Sequence, residues 1–195
     1  VTSGIYHAGR ESRVWVTSSD FGIPFIGGSD LQKTDLRDLP LISKIQVNKT
    51  PHFIIRSGYT LITRSGTIGK MAYARCDMDG MACSEHILRV VPDSSEILPG
   101  YLYAYLCSKF GLPLVVSGTY GSIVQSIEPE HLVGLPVPRL MPAAELEVHD
   151  LVEEAADLRV TASEQFQAAL AELEVLAGLP SVVEMRRMPS SPVQL

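Results

Sequence analysis

The stretch "YTLITRSGTIGK", residues 59–70, admits two readings that lead to different folds. An apolar run enters like a strand, two glycines frame a Thr-Ile pair, and Lys70 closes the turn. A Walker A loop would need Gly, four residues, then Gly-Lys-Ser/Thr, because backbone N–H groups cradle the phosphates and the hydroxyl holds magnesium. Counting back from Gly69, the first glycine would fall at position 64, which is Arg64, and Lys70 is followed by Met71, which has no hydroxyl. The nucleotide loop is excluded on both counts. With the preceding residues, "PHFIIRSGYTLITRSG" reads instead as two short strands around an Arg-Ser-Gly turn, β-branched and aromatic residues bounded by turn chemistry.

Working outward, "FGIPFIGGSDL" (21–31) is a short apolar run ended by glycines, and "HILRVVP" (86–92) is a strand stopped by Pro92. "PGYLYAYLCSKFG" (99–111) has Leu102 and Leu106, and Tyr101 and Tyr105, four apart, which predicts a helix with Gly111 as its stop. "GTYGSIVQSI" (118–127) returns to glycine-punctuated extended chain, and "LPVPRLMP" (135–142) carries three prolines in eight residues, as a stiff domain boundary would. Beyond it the period changes. From Pro142 to Gly178 there is no internal Gly or Pro, and Val148, Leu151, Ala155, Leu158, Ala162, Phe166, Ala169, Leu173 and Leu176 recur every three or four residues. That heptad stripe, with one slip of register, predicts a long coiled-coil helix. Roughly 35 residues at about 1.5 Å each give about 50 Å of helix, too long to bury its stripe against itself. The expected fold is therefore α+β. A compact mixed domain with a small twisted sheet spans 1–141, a long helix that needs a partner helix spans 142–179, and a loose tail spans 180–195.

Composition narrows the function classes. A hydrophobic content of 46% fits a folded protein, and no apolar run approaches the ~18 residues a membrane-spanning helix requires. The N-terminal "VTSGIYHAGRES" has no apolar core, so no signal peptide is expected, and the chain opens on Val1, as a fragment or a processed chain would. Three cysteines without CxxC spacing predict neither a disulfide framework nor a zinc site, and point to a reducing, cytoplasmic compartment. The net charge of −6 is unevenly spread. Residues 142–179 hold nine acids against Arg159 alone, whereas residues 1–141 hold 13 Lys and Arg against 12 Asp and Glu. Leu39 to Cys76 contains no acid and carries Lys44, Lys49, Arg56, Arg64, Lys70 and Arg75. The acidity belongs to the helix, and "TRSGTIGK" lies inside the one basic segment.

Catalytic constellations are weak. Ser84 and His86 in "CSEH" fall on one face of an extended strand, but no orienting acid or Gly-x-Ser-x-Gly elbow accompanies them. No histidine pair has metal-ligand spacing, no cofactor loop is visible, and "PDSSE" (92–96) lacks the lysine of a nuclease site. The chain reads as non-catalytic and cofactor-free.

Six stretches in order, "GIPFIGGSDL" (22–31), "YTLITRSGTIGKMAYA" (59–74), "SEHILRVVP" (84–92), "ILPGYLYAYLCSKFG" (97–111), "GTYGSIVQSIEPEHLVGLPVPRL" (118–140) and the long helix, resemble specificity subunits of type I restriction–modification systems. The chain is similar to half of such a subunit, one target recognition domain with one helical region. One departure is local, with Tyr59-Thr60 after Gly58 where the family often has an acid. The resemblance implies recognition of one half of a split double-stranded DNA target without chemistry. It also implies methyltransferase subunits as direct partners, a motor and restriction subunit as an indirect one, and antiparallel pairing of the helix with a second recognition half. That half would lie in the same longer chain or in a second copy. On this reading Leu151, Ala155, Leu158, Ala162, Phe166, Ala169, Leu173 and Leu176 form the pairing stripe.

The inventory of "TRSGTIGK" suits a DNA backbone. Its glycines permit a tight turn, Ser65 and Thr67 offer hydroxyls, and Arg64 and Lys70 offer charge, with Arg64 also able to reach a guanine edge. By the resemblance Thr119, Tyr120 and Ser122 form a second DNA-facing loop. Lys33 joins them, lying beside the basic segment with Lys44, Lys49 and Arg56 in it. The rival reading is a protein-interaction module working through the acidic helix. It predicts partner capture without DNA.

Overall fold

The computed structural model describes residues 1–119 and 126–178. In chain order its strands are β1 (Thr2–Tyr6), β2 (Trp15–Val16), β3 (Gly22–Ile26), β4 (Leu41–Ser43), β5 (Thr60–Thr63), β6 (Met71–Tyr73), β7 (Ala82–Cys83) and β8 (Ile87–Pro92). Its α-helices are α1 (Lys44–Lys49), α2 (Pro99–Cys107), α3 (Gly111–Ser117), α4 (Pro129–Val133) and α5 (Pro142–Leu176). One sheet has the order β1-β8-β5-β6 and is antiparallel throughout; the other has the order β2-β4-β3-β7, with β3 and β7 parallel. The α+β class expected from the sequence is the fold observed.

Strand β5 explains why the first sheet is central. All four of its residues are buried, so it is covered on both faces, and the period-two alternation of side chains sorts the core into two layers. Leu61, Ala72 and Ile87 point into one layer with Ile26, Leu31, Ile55, Met78 and Cys83. Ile62, Met71, Leu88 and Val90 point into the other, against Tyr101, Leu102, Leu106, Val115 and Leu132 of the helices. The first layer also encloses Arg89, which is fully buried. Its guanidinium donates to the carbonyls of Phe53 (3.0 Å), Ile87 (2.8 Å), Ser84 (3.2 Å) and Cys83. A buried cation needs such partners, and these tie the β7–β8 turn to residues 51–53.

Two expectations are corrected. "PHFIIR" does not form a strand: Pro51–Phe53 is a 3-10 turn and Ile54 makes a single bridge to Ala82. Strand β5 pairs instead with β6, Leu61 opposite Ala72, so "RSGTIGK" is the hairpin loop. Gly111 does not end the helical region either. It opens α3, and a Cβ there would lie 2.2 Å from the Tyr105 carbonyl, so glycine permits a close corner between α2 and α3.

Helix α5 begins at Pro142, where the glycine- and proline-free run begins. The described chain divides into two compact units, Val1–Val160 and Thr161–Leu195, the second described to Gly178. In the first unit the helix is anchored through Glu145, which takes two hydrogen bonds from Arg139 (2.9 and 2.8 Å) and one from the Leu140 N–H (2.8 Å). These bonds and the Arg139 charge outweigh burial and hold the Glu145 carboxyl below its ordinary range. One turn on, His149 Nδ1 accepts the Gly100 N–H at 3.1 Å, and Tyr73 donates its hydroxyl to Glu153. The "LPVPRLMP" segment is fastened as well, by Tyr101 to the Pro138 carbonyl and Tyr105 to the Pro136 carbonyl. The stiff segment thus leads into a helix whose first half folds with the sheets. The expected tail, 180–195, lies outside the described residues.

Candidate nucleic-acid interface

The loop between β5 and β6 is built from its base. Thr63 donates its N–H to the Lys70 carbonyl (2.9 Å) and takes the Gly69 N–H on its own carbonyl (3.0 Å). Its hydroxyl oxygen also accepts the Lys70 N–H at 2.9 Å and donates to the Thr67 carbonyl. Gly66 and Gly69 adopt φ of +78° and +79°, the left-handed conformation that glycine reaches without strain. At Gly69 there is a second reason, since a Cβ would sit 2.7 Å from Val116 Cγ1 of α3.

Arg64 is the main correction at the site. Its side chain is only 5% exposed. The guanidinium donates to the Ile127 carbonyl (3.0 Å) and to Glu128, while the Arg64 N–H donates to the His86 carbonyl (2.8 Å). It clamps the loop to the 126–128 segment and to the β7–β8 turn, and it presents no charge to a guanine edge or a phosphate.

The same loop brings Ser65, Thr67 and Lys70 to an open cleft of ≈ 570 Å³, shared with Gly28, Ser29 and His86. Among the described residues the lining contains no carboxylate, and Thr67 and Lys70 are exposed. Among the described residues the Lys70 ammonium faces no carboxylate. Ser65 Oγ lies 2.6 Å from His86 Nδ1. Behind the imidazole, His86 Nε2 is 3.4 Å from Glu85, which also binds Arg13. Burial raises the Glu85 carboxyl, but its own N–H, the hydrogen bond from Arg13 and the positive charges beside it win, and it is held below its ordinary range. Ser84 is buried and its hydroxyl accepts the His86 backbone N–H (3.0 Å), so the residue that meets the His86 ring is Ser65.

The remaining sequence candidates scatter. Lys33 is exposed but pairs with Asp30 at 2.6 Å, at the far end of the turn that carries Gly28 and Ser29. Thr119, two residues past the end of α3, donates its hydroxyl to the Val116 carbonyl. Tyr120 and Ser122 lie outside the described residues. The acid-free basic segment does not make one basic face: Arg75 is buried on Asp77 and the Lys33 and Thr34 carbonyls, Arg56 pairs with Asp79, and Lys44 binds the Asp20 carbonyl. The Gly28-Ser29 turn was no candidate in the sequence, and His86 read there as a neighbour of Ser84 rather than as part of this cleft. The sequence held only the proximity of His86 to a strand start, and its partner Ser65 is 21 residues away.

On α5 the expected stripe is outward. Leu151, Ala155 and Leu158 in the first unit are exposed, and so are Ala162, Phe166, Ala169, Leu173 and Leu176 in the second. Leu151 is 60% exposed, Leu158 61% and Phe166 60%, unusual for large apolar side chains at heptad spacing. Val148, the first residue of the stripe, instead packs into the helix-side core.

A crystal structure of a type I restriction–modification system S subunit from M. genitalium is similar to this chain, with a TM-score of 0.46 and 13% sequence identity. The match covers 77% of this chain and 35% of that one, so the chain spans about a third of that subunit's length. No protein-family model matches the sequence, and no curated protein sequence does. No helix among the described residues is long and apolar enough to cross a membrane.

Proposed function

We propose that the chain is a DNA-reading module that recognises one half of a split double-stranded target, non-catalytically, as a specificity subunit or part of one. The observation that carries this is the cleft, whose described lining holds no carboxylate and gathers Ser65, Thr67 and Lys70, on a loop braced by Thr63, Arg64 and Gly69, beside Ser29 and the His86 imidazole. Donors held rigidly on a surface suit phosphate oxygens, which take most protein–DNA hydrogen bonds and set register. The exposed α5 stripe supports the second half of the reading. Such a face needs another helix, and a second recognition half paired through it would fix the spacing of two half-sites. Methyltransferase subunits would supply the chemistry and a motor subunit the restriction. Because Lys70 is the one lysine or arginine lining the cleft among the described residues, one copy alone binds duplex DNA weakly, and useful affinity arises when two halves and their partners clamp one duplex.

The same stripe favours a second reading, a protein-interaction module acting through α5 without DNA. Selection from a random duplex library at low salt, with and without a methyltransferase subunit, separates the two. Enrichment of a short motif, repeated in inverted orientation at fixed spacing when helices pair, supports DNA recognition. No enrichment under either condition refutes it and leaves the helix reading.

A further inference from the structure

At the cleft Ser65, His86 and Glu85 stand in a row, so what Ser65 offers a ligand depends on the ring behind it. Ser65 Oγ is 2.6 Å from Nδ1 on one side of the imidazole, and a Glu85 oxygen is 3.4 Å from Nε2 on the other. Half of the His86 side chain is exposed, so its proton exchanges with solvent, while Glu85 is mostly buried and fixed by Arg13. A hydroxyl has one hydrogen to give, and an imidazole nitrogen is a donor or an acceptor according to its protonation.

In neutral His86 the carboxylate behind Nε2 favours the proton there, so Nδ1 accepts the Ser65 hydroxyl hydrogen. The cleft then meets only the lone pairs of Ser65 Oγ. When His86 takes up a proton, Nδ1–H donates to Oγ, the serine hydrogen is released from that bond, and it turns into the cleft as a donor. The added positive charge sits between an ionised carboxylate and the cleft. The other groups around the ring do not reverse this: Lys70 shares the cleft, Arg13 lies behind Glu85, the Arg64 guanidinium is turned to Glu128, and Asp30 of the facing turn is held by the Gly27 N–H and Lys33.

We propose that Ser65 and His86 form a proton-dependent anion contact, in which protonation of the imidazole converts Ser65 from acceptor to donor toward a DNA phosphate. This rests on the DNA reading above and adds regulation to it. Phosphate binding takes up one proton at His86, so affinity for duplex DNA rises as pH falls, with a limiting slope of about tenfold per pH unit.

Calorimetric titration of a random-sequence duplex into the full chain, in two buffers of different ionisation enthalpy, counts the protons taken up. Wild type is expected to take up protons on binding, at most one per complex, and His86→Gln none. Lys70→Met should bind more weakly with uptake intact. Equal uptake in wild type and His86→Gln overturns the proposal while leaving the DNA reading standing. If no duplex binds, the DNA reading fails, and the His86 ring resonances followed through a pH titration with and without sulfate, which does not itself titrate there, decide the contact. A sulfate-induced upward move of the midpoint in wild type, lost in Ser65→Ala, supports it; an unmoved midpoint overturns it.

Discussion

Replacing Arg64 and Lys70 in parallel by methionine separates a cation that builds the loop from one that the loop presents. Both lie in the same eight-residue stretch and both lose one charge with a similar apolar stem. Arg64 is 5% exposed, and its guanidinium holds the Ile127 carbonyl at 3.0 Å as well as Glu128. Breaking a fully buried pair by removing one partner costs about 3–5 kcal/mol. Glu128 is 34% exposed and can be partly rehydrated, so about 2–4 kcal/mol is expected for Arg64→Met. At about 2–4 °C per kcal/mol for a chain of this size, Tm falls by about 4–16 °C. Lys70 is exposed, and Lys70→Met should stay within about 0.5 kcal/mol of wild type. Fluorescence anisotropy of a labelled duplex at several salt concentrations then gives the opposite ranking. Lys70→Met reduces the slope of log affinity against log salt by about 0.9, one phosphate contact, and Arg64→Met at a temperature where it is folded leaves the slope unchanged. A slope lost in Arg64→Met with Tm intact would refute the reasoning, because it would mean that the arginine leaves Glu128 to reach DNA.

Other outcomes follow from the same geometry. Gly66→Ala and Gly69→Ala carry the same left-handed strain of about 1–2 kcal/mol, but only at Gly69 does the new methyl meet Val116, so thermal unfolding should show Gly69→Ala lower by a further 1 kcal/mol or so. The depressed Glu145 carboxyl contributes stability that is present above its unfolded value and is lost as pH falls through the native one. The Tm difference between wild type and Glu145→Gln should therefore be full at neutral pH and close as the pH drops below about 4, near where an unfolded glutamate titrates. Leu158→Glu with Phe166→Glu should abolish concentration-dependent association in sedimentation velocity, because two charges would enter the helix seam, while the unfolding of the first unit stays as in wild type.

What the sequence made legible was local. An uninterrupted run from Pro142, a strand stopped at Pro92 and the apolar run of Gly22–Ile26 all became elements where their chemistry places them, because caps, breakers and periodicity act over a few residues. The partnering of side chains was not legible. Arg64 reads as a surface cation until Glu128, 64 residues on, is brought to it, and His86 reads as a partner of Ser84 until the hairpin loop presents Ser65. The Arg-Ser-Gly turn forms, with Gly58 at φ +85° and the Tyr59 N–H on the Arg56 carbonyl, but the strand expected before it does not. "FIIR" has strand composition, but its backbone is drawn into a 3-10 turn whose Phe53 carbonyl is needed by Arg89. The basic segment was real as composition, yet the fold spends Arg64 and Arg75 internally and distributes the rest.

The hairpin loop separates the residues that hold its shape from the residues that face outward. Thr63, Arg64 and Gly69 are committed to the interior, while Ser65 and Thr67 lean on it only through backbone atoms and the imidazole. Mutational drift can therefore rewrite the outward positions while the scaffold beneath them stays intact, at about 0.5 kcal/mol or less for each surface exchange. If the loop grips phosphate as proposed, a library confined to positions 65 and 67 would vary the strength of that grip without first having to rescue folding.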